Sequence, residues 1–330
     1  MYKKAWRKHL TPNSASMPRF IVYRILQTIP TILFITLLSF LLIRIAPGGP
    51  VAMLADNPGL RLEDIEQIRH NFGLDQPWYI QYFHWLQQLV FHFDLGVSYF
   101  TQQPVLQMII ERLPATLELM ICAMLLSGVS ALLIGVTVAY RHGTWVDKLI
   151  TFLSAGGLAL PNFWIGIMAL MIFSVFLGWL PTGGRVPLGE GGIMLHMRSL
   201  ILPTCVLSLS YTASWSRYIC ANMVEILHEE YIRTARAKGL PERTILWRHA
   251  LRNACIPFLT VIGSEVPTWF TGAIITETIF AWPGVGRLFY EGALYHDYPR
   301  IMGILVFVSC MVVVSNLIID CVYKIIDPRI

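Results

Sequence analysis

The stretch Asn222-Met-Val-Glu-Ile-Leu-His-Glu-Glu-Tyr-Ile-Arg-Thr-Ala-Arg-Ala-Lys-Gly-Leu-Pro-Glu-Arg-Thr-Ile-Leu-Trp-Arg-His-Ala-Leu-Arg-Asn-Ala-Cys-Ile-Pro257 is a charged island in an otherwise apolar chain. Glu229 and Glu230 place negative charge at the positive dipole end of a helix, Lys238 closes it with positive charge, and Gly239 with Pro241 stops it. A second helix is expected from Pro241 to about Asn253. On its wheel Leu246, Ala250 and Ala254 share a stripe with Trp247 and Leu251 beside it, while Arg248, His249 and Arg252 point away. Two helices joined by Gly-Leu-Pro, with basic residues around them, suit a DNA-reading helix-turn-helix or a basic membrane-surface element. The apolar runs on both sides decide against DNA.

Those runs set the class. With 55% hydrophobic and 14% charged residues in 330, the chain is far more apolar than a soluble domain, for which about a quarter charged is ordinary. Apolar runs of about 20 residues recur with no polar domain between them, so one all-α polytopic membrane domain is expected, in contact with lipid. The net charge of +5 is modest, and nucleic acid is not an expected partner. The six cysteines lie in or beside apolar runs without a Cys-x-x-Cys pair, which reads as small buried hydrophobes rather than a redox or metal site.

Residues 1–19 are polar and basic (Lys3, Lys4, Arg7, Lys8, Arg19) and resemble the front of a signal peptide. The run behind them, 20–45, exceeds a signal core of about 7–15 residues and lacks a small-residue cleavage pattern, so it is read as an uncleaved first span. Five more spans are read at about 115–140, 149–177, 200–220, 256–279 and 301–322. Residues 46–114 form an extracytoplasmic region with an aromatic-rich part at Trp78–Phe93, and 323–330 form a tail. Basic residues divide about two to one in favour of the side holding both termini and the loop 222–255, which places that side in the cytoplasm.

Thr234-Ala-Arg-Ala-Lys-Gly239, followed by Arg248-His-Ala-Leu-Arg-Asn253 and Ile256-Pro257, resembles the cytoplasmic coupling loop of permease subunits of bacterial ABC importers, in particular the dipeptide, oligopeptide and nickel branch. The general family pattern is Glu-Ala-Ala, three residues, then Gly. Counting back from Gly239 puts Arg233, Thr234 and Ala235 there, and only Ala235 matches, a departure usual for the peptide branch. Further matches are Leu113-Pro-Ala-Thr-Leu-Glu118, Phe280-Ala-Trp-Pro-Gly-Val-Gly-Arg287, Asp297-Tyr-Pro299 and Asp327-Pro-Arg329, so the resemblance spans nearly the whole chain.

The resemblance implies a type I importer permease in a bacterial inner membrane, with six spans and a cytoplasmic coupling helix. Its partners would be a second homologous permease, two ATPase subunits and an extracytoplasmic substrate-binding protein. No P-loop Gly-x-x-x-x-Gly-Lys-Ser/Thr occurs, so this chain is expected to bind no cofactor and to be no enzyme, with ATP and Mg on the partner ATPases. Tyr231, Thr234, Ala235, Arg236, Ala237, Lys238 and Gly239 are the expected ATPase-coupling residues, Ala235 and Ala237 forming a small-residue docking face. A positive φ at Gly239 would make it the residue that aims the helix.

Ionisable groups in or near spans single out Glu118, Arg217, Glu265, Glu277 and Asp320. Glu265 lies deepest in its run and reads either as a pathway residue or as a hydrogen-bonding partner of a neighbouring helix. The family architecture puts Thr268, Trp269 and Thr271 with it. Asn162 belongs to Pro161-Asn-Phe-Trp164, which interrupts the third span as a packing kink or a gate. Trp282, Pro283, Gly284 and Gly286 read as a type II turn at the outer gate.

No Gly-x-Ser-x-Gly or His-Glu-x-x-His supports a membrane hydrolase. An ion-coupled secondary transporter also uses intramembrane acids and stays as a rival, as does a scaffold without transport. Peptides are the favoured cargo. Nickel is the alternative, through Met194-Leu-His-Met197 and His296, and no metal site on this chain itself is expected.

Overall fold

The computed structural model describes residues 17–45, 75–186 and 192–326. The N-terminal segment 1–16, the helical pattern at Glu63–His70 and the Asp327-Pro-Arg329 match therefore lie outside the described residues. The chain is helical in α1 (Met17–Ile45), α2 (Trp78–His92), α3 (Val105–Tyr140), α4 (Trp145–Ala159), α5 (Asn162–Ala169), α6 (Gly192–Leu227), α7 (Glu230–Ala237), α8 (Leu251–Ile279), α9 (Val285–Leu294) and α10 (Tyr298–Ile326). Wider π-helical turns extend α5 through Leu170–Phe176 and lead into α8 through Ile245–Ala250.

Among the described residues, α3, α6 and α10 are long and apolar enough to cross a bilayer unbroken, and the pairs α4/α5 and the two halves of α8 qualify as bent spans. That makes up to five spans among the described residues; α1, apolar over Leu26–Leu42, is shorter and overlaps the first of the six runs read from the sequence. The α4/α5 span is not a rod. It turns through 100° at Leu160–Pro161, because a residue before proline is pushed out of the helical region and Leu160 sits at φ −86°, ψ 132°. α3 begins at Val105, ten residues earlier than expected, and carries Pro114 inside it. The helix expected to end near Asn253 instead runs on through α8, so coupling loop and fifth span share one continuous helix.

The described residues divide into two compact units. One comprises those up to Met108 and from Glu291 onward, the other Ile109–Tyr290. In the first, α1 packs on α10, and α2 is tied to α1 by Thr36 Oγ1 to Tyr82 Oη at 2.9 Å and Arg44 Nη1 to Gln81 Oε1 at 2.8 Å. Trp78, Tyr79, Phe83 and Phe91 of α2 are exposed. Asp297, fully buried, accepts the Ser98 hydroxyl and the Tyr99 N–H at 3.0 Å. Burial and that carboxylate push the Tyr99 phenol up to about 12.

The core of the second unit lies between α3, α6 and α8. Trp215, Trp269 and Trp282 are fully buried there with Leu119, Ile219, Met223 and Ala273. α3 meets α6 at Gly135, where a Cβ would stand 2.6 Å from Ile219 Cγ2 and 2.9 Å from the Ser216 carbonyl, and the Ser127 hydroxyl reaches the Ser208 carbonyl at 3.1 Å. Small residues at such a crossing let dispersion contacts hold helices together where lipid removes the hydrophobic driving force. The cysteines depart from the expected reading: all are free, none is fully buried and Cys205 is exposed, so lipid-facing and packing positions share them. Gly135→Val is expected to cost about 1–3 kcal/mol by forcing α3 off α6, while Gly156→Ala, with nothing within 4 Å of the added carbon, is expected to be neutral. Thermal unfolding of the two variants in detergent checks this.

Candidate coupling surface and buried carboxylates

Glu229 enters α7 in extended conformation and its carbonyl receives the Ile232 N–H at 3.0 Å. The far end is closed by a Schellman arrangement: Leu240 N–H to the Ala235 carbonyl at 3.3 Å, Gly239 N–H to the Arg236 carbonyl at 2.9 Å, and Gly239 at φ +75°. Nothing lies within 4 Å of a Cβ built on Gly239, so glycine is required there by backbone angle and not by space. Arg236 Nε pairs with Glu242 Oε1 at 2.8 Å, holding α7 to the turn that follows it, and Asn253 Nδ2 donates to Tyr231 Oη at 2.7 Å, fastening α7 to the start of α8.

Which face is free is the main correction to the sequence reading. Ile232 and Ala235, three residues apart, are buried with Ile245 and Leu246 of the π-helical turn. Ala235 therefore anchors α7 inward and does not join Ala237 in a docking face, because a single helical turn cannot point both the same way. The outward surface is Glu230, Tyr231, Arg233, Thr234, Arg236, Ala237 and Lys238, with Arg233 Nη1 paired to Glu230 Oε1 at 2.8 Å. Trp247, read as beside the apolar stripe, is exposed.

Among the pathway candidates, Glu265 is half-buried and accepts the Trp215 indole N–H at 2.5 Å. Thr268 is exposed, its hydroxyl donating to the Glu265 carbonyl at 2.6 Å and lying 3.2 Å from Tyr211 Oη. Tyr211 stacks on Trp269 with centroids 3.9 Å apart. Trp269 is fully buried in that stack, so it supports the group and does not line an open route. The Thr271 side chain lies outside the described residues. Asn162, at the α4/α5 bend, accepts the Ser210 hydroxyl at 2.6 Å. The sequence held no local signal for Tyr211 or Trp215, whose hydrogen-bond partners Thr268 and Glu265 lie 57 and 50 residues away.

The expected outer turn is a buried knot. Trp282, Gly284 and Gly286 are buried. The Trp282 indole N–H donates to the Ala115 carbonyl at 2.8 Å, and Thr116 Oγ1 accepts the Val285 N–H at 2.8 Å while donating to Glu277 Oε1 at 2.7 Å. Glu277, fully buried, takes the Arg287 N–H at 3.0 Å and so sits at the N-terminus of α9. The turn is not type II, which needs positive φ at Gly284. The left-handed residue is Ala281 at φ +49°, and a three-residue turn closes from Gly284 N–H to the Trp282 carbonyl at 2.8 Å. A Cβ on Gly284 would run into the Glu277 carboxyl.

Of the other two acids, the Asp320 side chain lies outside the described residues, and Glu118 holds Arg185 Nε at 2.8 Å and the buried His196 Nε2 at 2.5 Å, with His196 Nδ1 at 2.6 Å from the Val186 carbonyl. Both ring nitrogens are thereby occupied, so His196 offers no nickel-handling group with Met194 and Met197. Among the described residues no cluster of His, Cys, Asp or Glu is arranged to hold a metal ion.

Two family models match. The model described as binding-protein-dependent transport system inner membrane component covers residues 131–330, and its N-terminal companion covers 17–120. The chain belongs to this family of permease components. It is 43% identical to the oligopeptide transport system permease protein AppB of Bacillus subtilis, across 95% of this chain and 99% of that protein. Against the dipeptide transport system permease protein DppB of Escherichia coli the identity is 38%, over the same shares of the two chains. The chain is thus a multi-pass transport subunit of the ABC importer class, and two stretches quoted for the resemblance, Leu113–Glu118 and Phe280–Arg287, are the two that the Glu277 knot joins. Glu277→Ala strands the Thr116 hydroxyl and the Arg287 N–H and is expected to destabilise by about 1–3 kcal/mol, with Glu277→Gln milder; denaturation in detergent measures both, and Gly284→Ala is expected to behave like the alanine variant.

Proposed function

We propose that this chain forms half of the translocation pathway of an ABC importer for di- or oligopeptides, with α7 on the cytoplasmic face as the element that receives ATPase motion. The observation that carries it is α7 itself: a capped helix of eight residues, clamped by Ile232 and Ala235 on one side, that presents a polar face to a partner. The Tyr231–Asn253 bond to α8, with the Arg236–Glu242 pair holding the intervening turn, makes displacement of α7 displace the fifth span as a rigid body. Two ATPases, a second permease and an extracytoplasmic binding protein complete the assembly in this reading, ATP and Mg residing on the ATPases. The basic residues of the loop put it and both termini inside the cell.

Peptide is favoured over nickel by two things together: the relatives are named for peptide transport, and His196 is committed to Glu118 and Val186. Glu265, Thr268 and Asn162 carry polar groups toward the route, and Trp282, Pro283, Gly284 and Gly286 set the angle of its outer end from beneath.

Reconstituted with its ATPases and binding protein in liposomes without an ion gradient, the chain is expected to import peptide when ATP is supplied. Uptake that requires a proton or sodium gradient would instead establish secondary transport. Gly239→Val, forced into a left-handed backbone at about 1–2 kcal/mol, is expected to lower ATP-driven uptake about tenfold, and Gly239→Asn much less. Unchanged uptake in the valine variant would leave only a scaffold role for α7. Cysteine at Ala237, but not at Ala235, is expected to cross-link to an ATPase subunit.

A further inference from the structure

A cleft of about 280 Å³ opens between the last turns of α3, the first turns of α4 and the facing part of α6. It lies apart from the coupling surface, the Glu265 group and the Glu277 knot. Its walls are apolar, with Val138 from α3, Ile150 from α4 and Val224 from α6, and its polar edge carries Arg217, Ser154 and His142.

The charges in it do not balance. Asp147 is its one carboxylate, and both oxygens are engaged: Oδ2 takes the Gly143 N–H at 2.9 Å and lies 3.1 Å from His142 Nδ1, while Oδ1 takes the Thr151 hydroxyl at 3.2 Å. Among the described residues no carboxylate comes within 4.0 Å of the Arg217 guanidinium. Arg217 is exposed and stands three residues inside the end of the span read at about 200–220, within reach of the headgroup level. A cation at that level with no carboxylate partner attracts an anionic headgroup, and the attraction is largest where the cation edges an apolar cleft.

The surroundings fix which anion. Tyr140 and Trp145, on either side of the α3–α4 turn, are exposed, and so are Arg141 and Lys148. Aromatic and basic side chains in that combination mark the level of lipid headgroups. A free phosphate would satisfy Arg217 and leave the apolar stripe of Val138, Ile150 and Val224 bare, whereas a phospholipid fills both parts with one molecule. We propose that this cleft is a binding site for an anionic phospholipid, its phosphate on Arg217 and Ser154 and its acyl chain along Val138 and Ile150. Basic pockets between spans bind anionic headgroups on these terms.

The test uses the full-length chain, extracted with the subunits that copurify and stripped of loose lipid. Retention of phosphatidylglycerol, phosphatidylcholine and glycerol phosphate is compared by native mass spectrometry at equal concentration. Phosphatidylglycerol is expected to be retained at least tenfold over phosphatidylcholine, with glycerol phosphate not retained. Arg217→Gln is expected to erase that preference and Arg217→Lys to restore part of it. Equal retention of the two lipids by the unaltered chain, retention of glycerol phosphate at the level of phosphatidylglycerol, or an undiminished preference in Arg217→Gln would overturn the assignment. The comparison of lipids on the unaltered chain decides the matter even where a variant does not fold.

Discussion

Inside a bilayer no water is at hand to satisfy a polar group, and the second unit is built around meeting that demand at Glu277. Its carboxylate has no exposure, so each oxygen needs a donor, and the donors come from α3 through Thr116 and from the start of α9 through Arg287. The same contacts fix where α8 ends and where α9 begins. Trp282 adds a second tie to α3 through the Ala115 carbonyl. The acid is thus a fastener between elements and not a group waiting for cargo.

The coupling surface follows the same economy on a smaller scale. α7 makes few apolar contacts, yet Ile232 and Ala235 are buried, its last carbonyls are closed by the Gly239 cap, and side-chain bonds from Arg236 and Tyr231 attach it at two points. A helix of this length has no stability of its own, so the attachments hold its direction. That direction is what a partner on its polar face would read.

The limits of α7 were legible because they depend on local chemistry: acids at one end, then Lys238, Gly239 and Pro241, which only one backbone path accommodates. The positions of the apolar runs were legible for a similar reason, but the helices overrun them: α3 and α6 each continue for 36 residues where 115–140 and 200–220 were read. What could not be read was orientation within a turn. Ala235 and Ala237 look alike in sequence and face opposite ways in space. Pro283-Gly284 suggested a left-handed glycine, but Thr116 holds the Val285 N–H and draws Gly284 into the entry of α9, moving the positive φ back to Ala281. Glu265 was found from its depth alone, whereas its partner Trp215 sits on another helix and no spacing rule connects the two.

The elbow at Leu160–Pro161 has a consequence for the polar backbone. Pro161 has no N–H to give the Gly157 carbonyl, and the extended Leu160 ends the ladder of α4 with Gly156. The backbone oxygens left at this corner need donors in a stretch of chain otherwise clad in hydrocarbon. Asn162 and Ser210 bring polar side chains to the same corner. Such a corner gathers polar groups at one point of an otherwise apolar span, so the bend is fastened by hydrogen bonding as well as by packing.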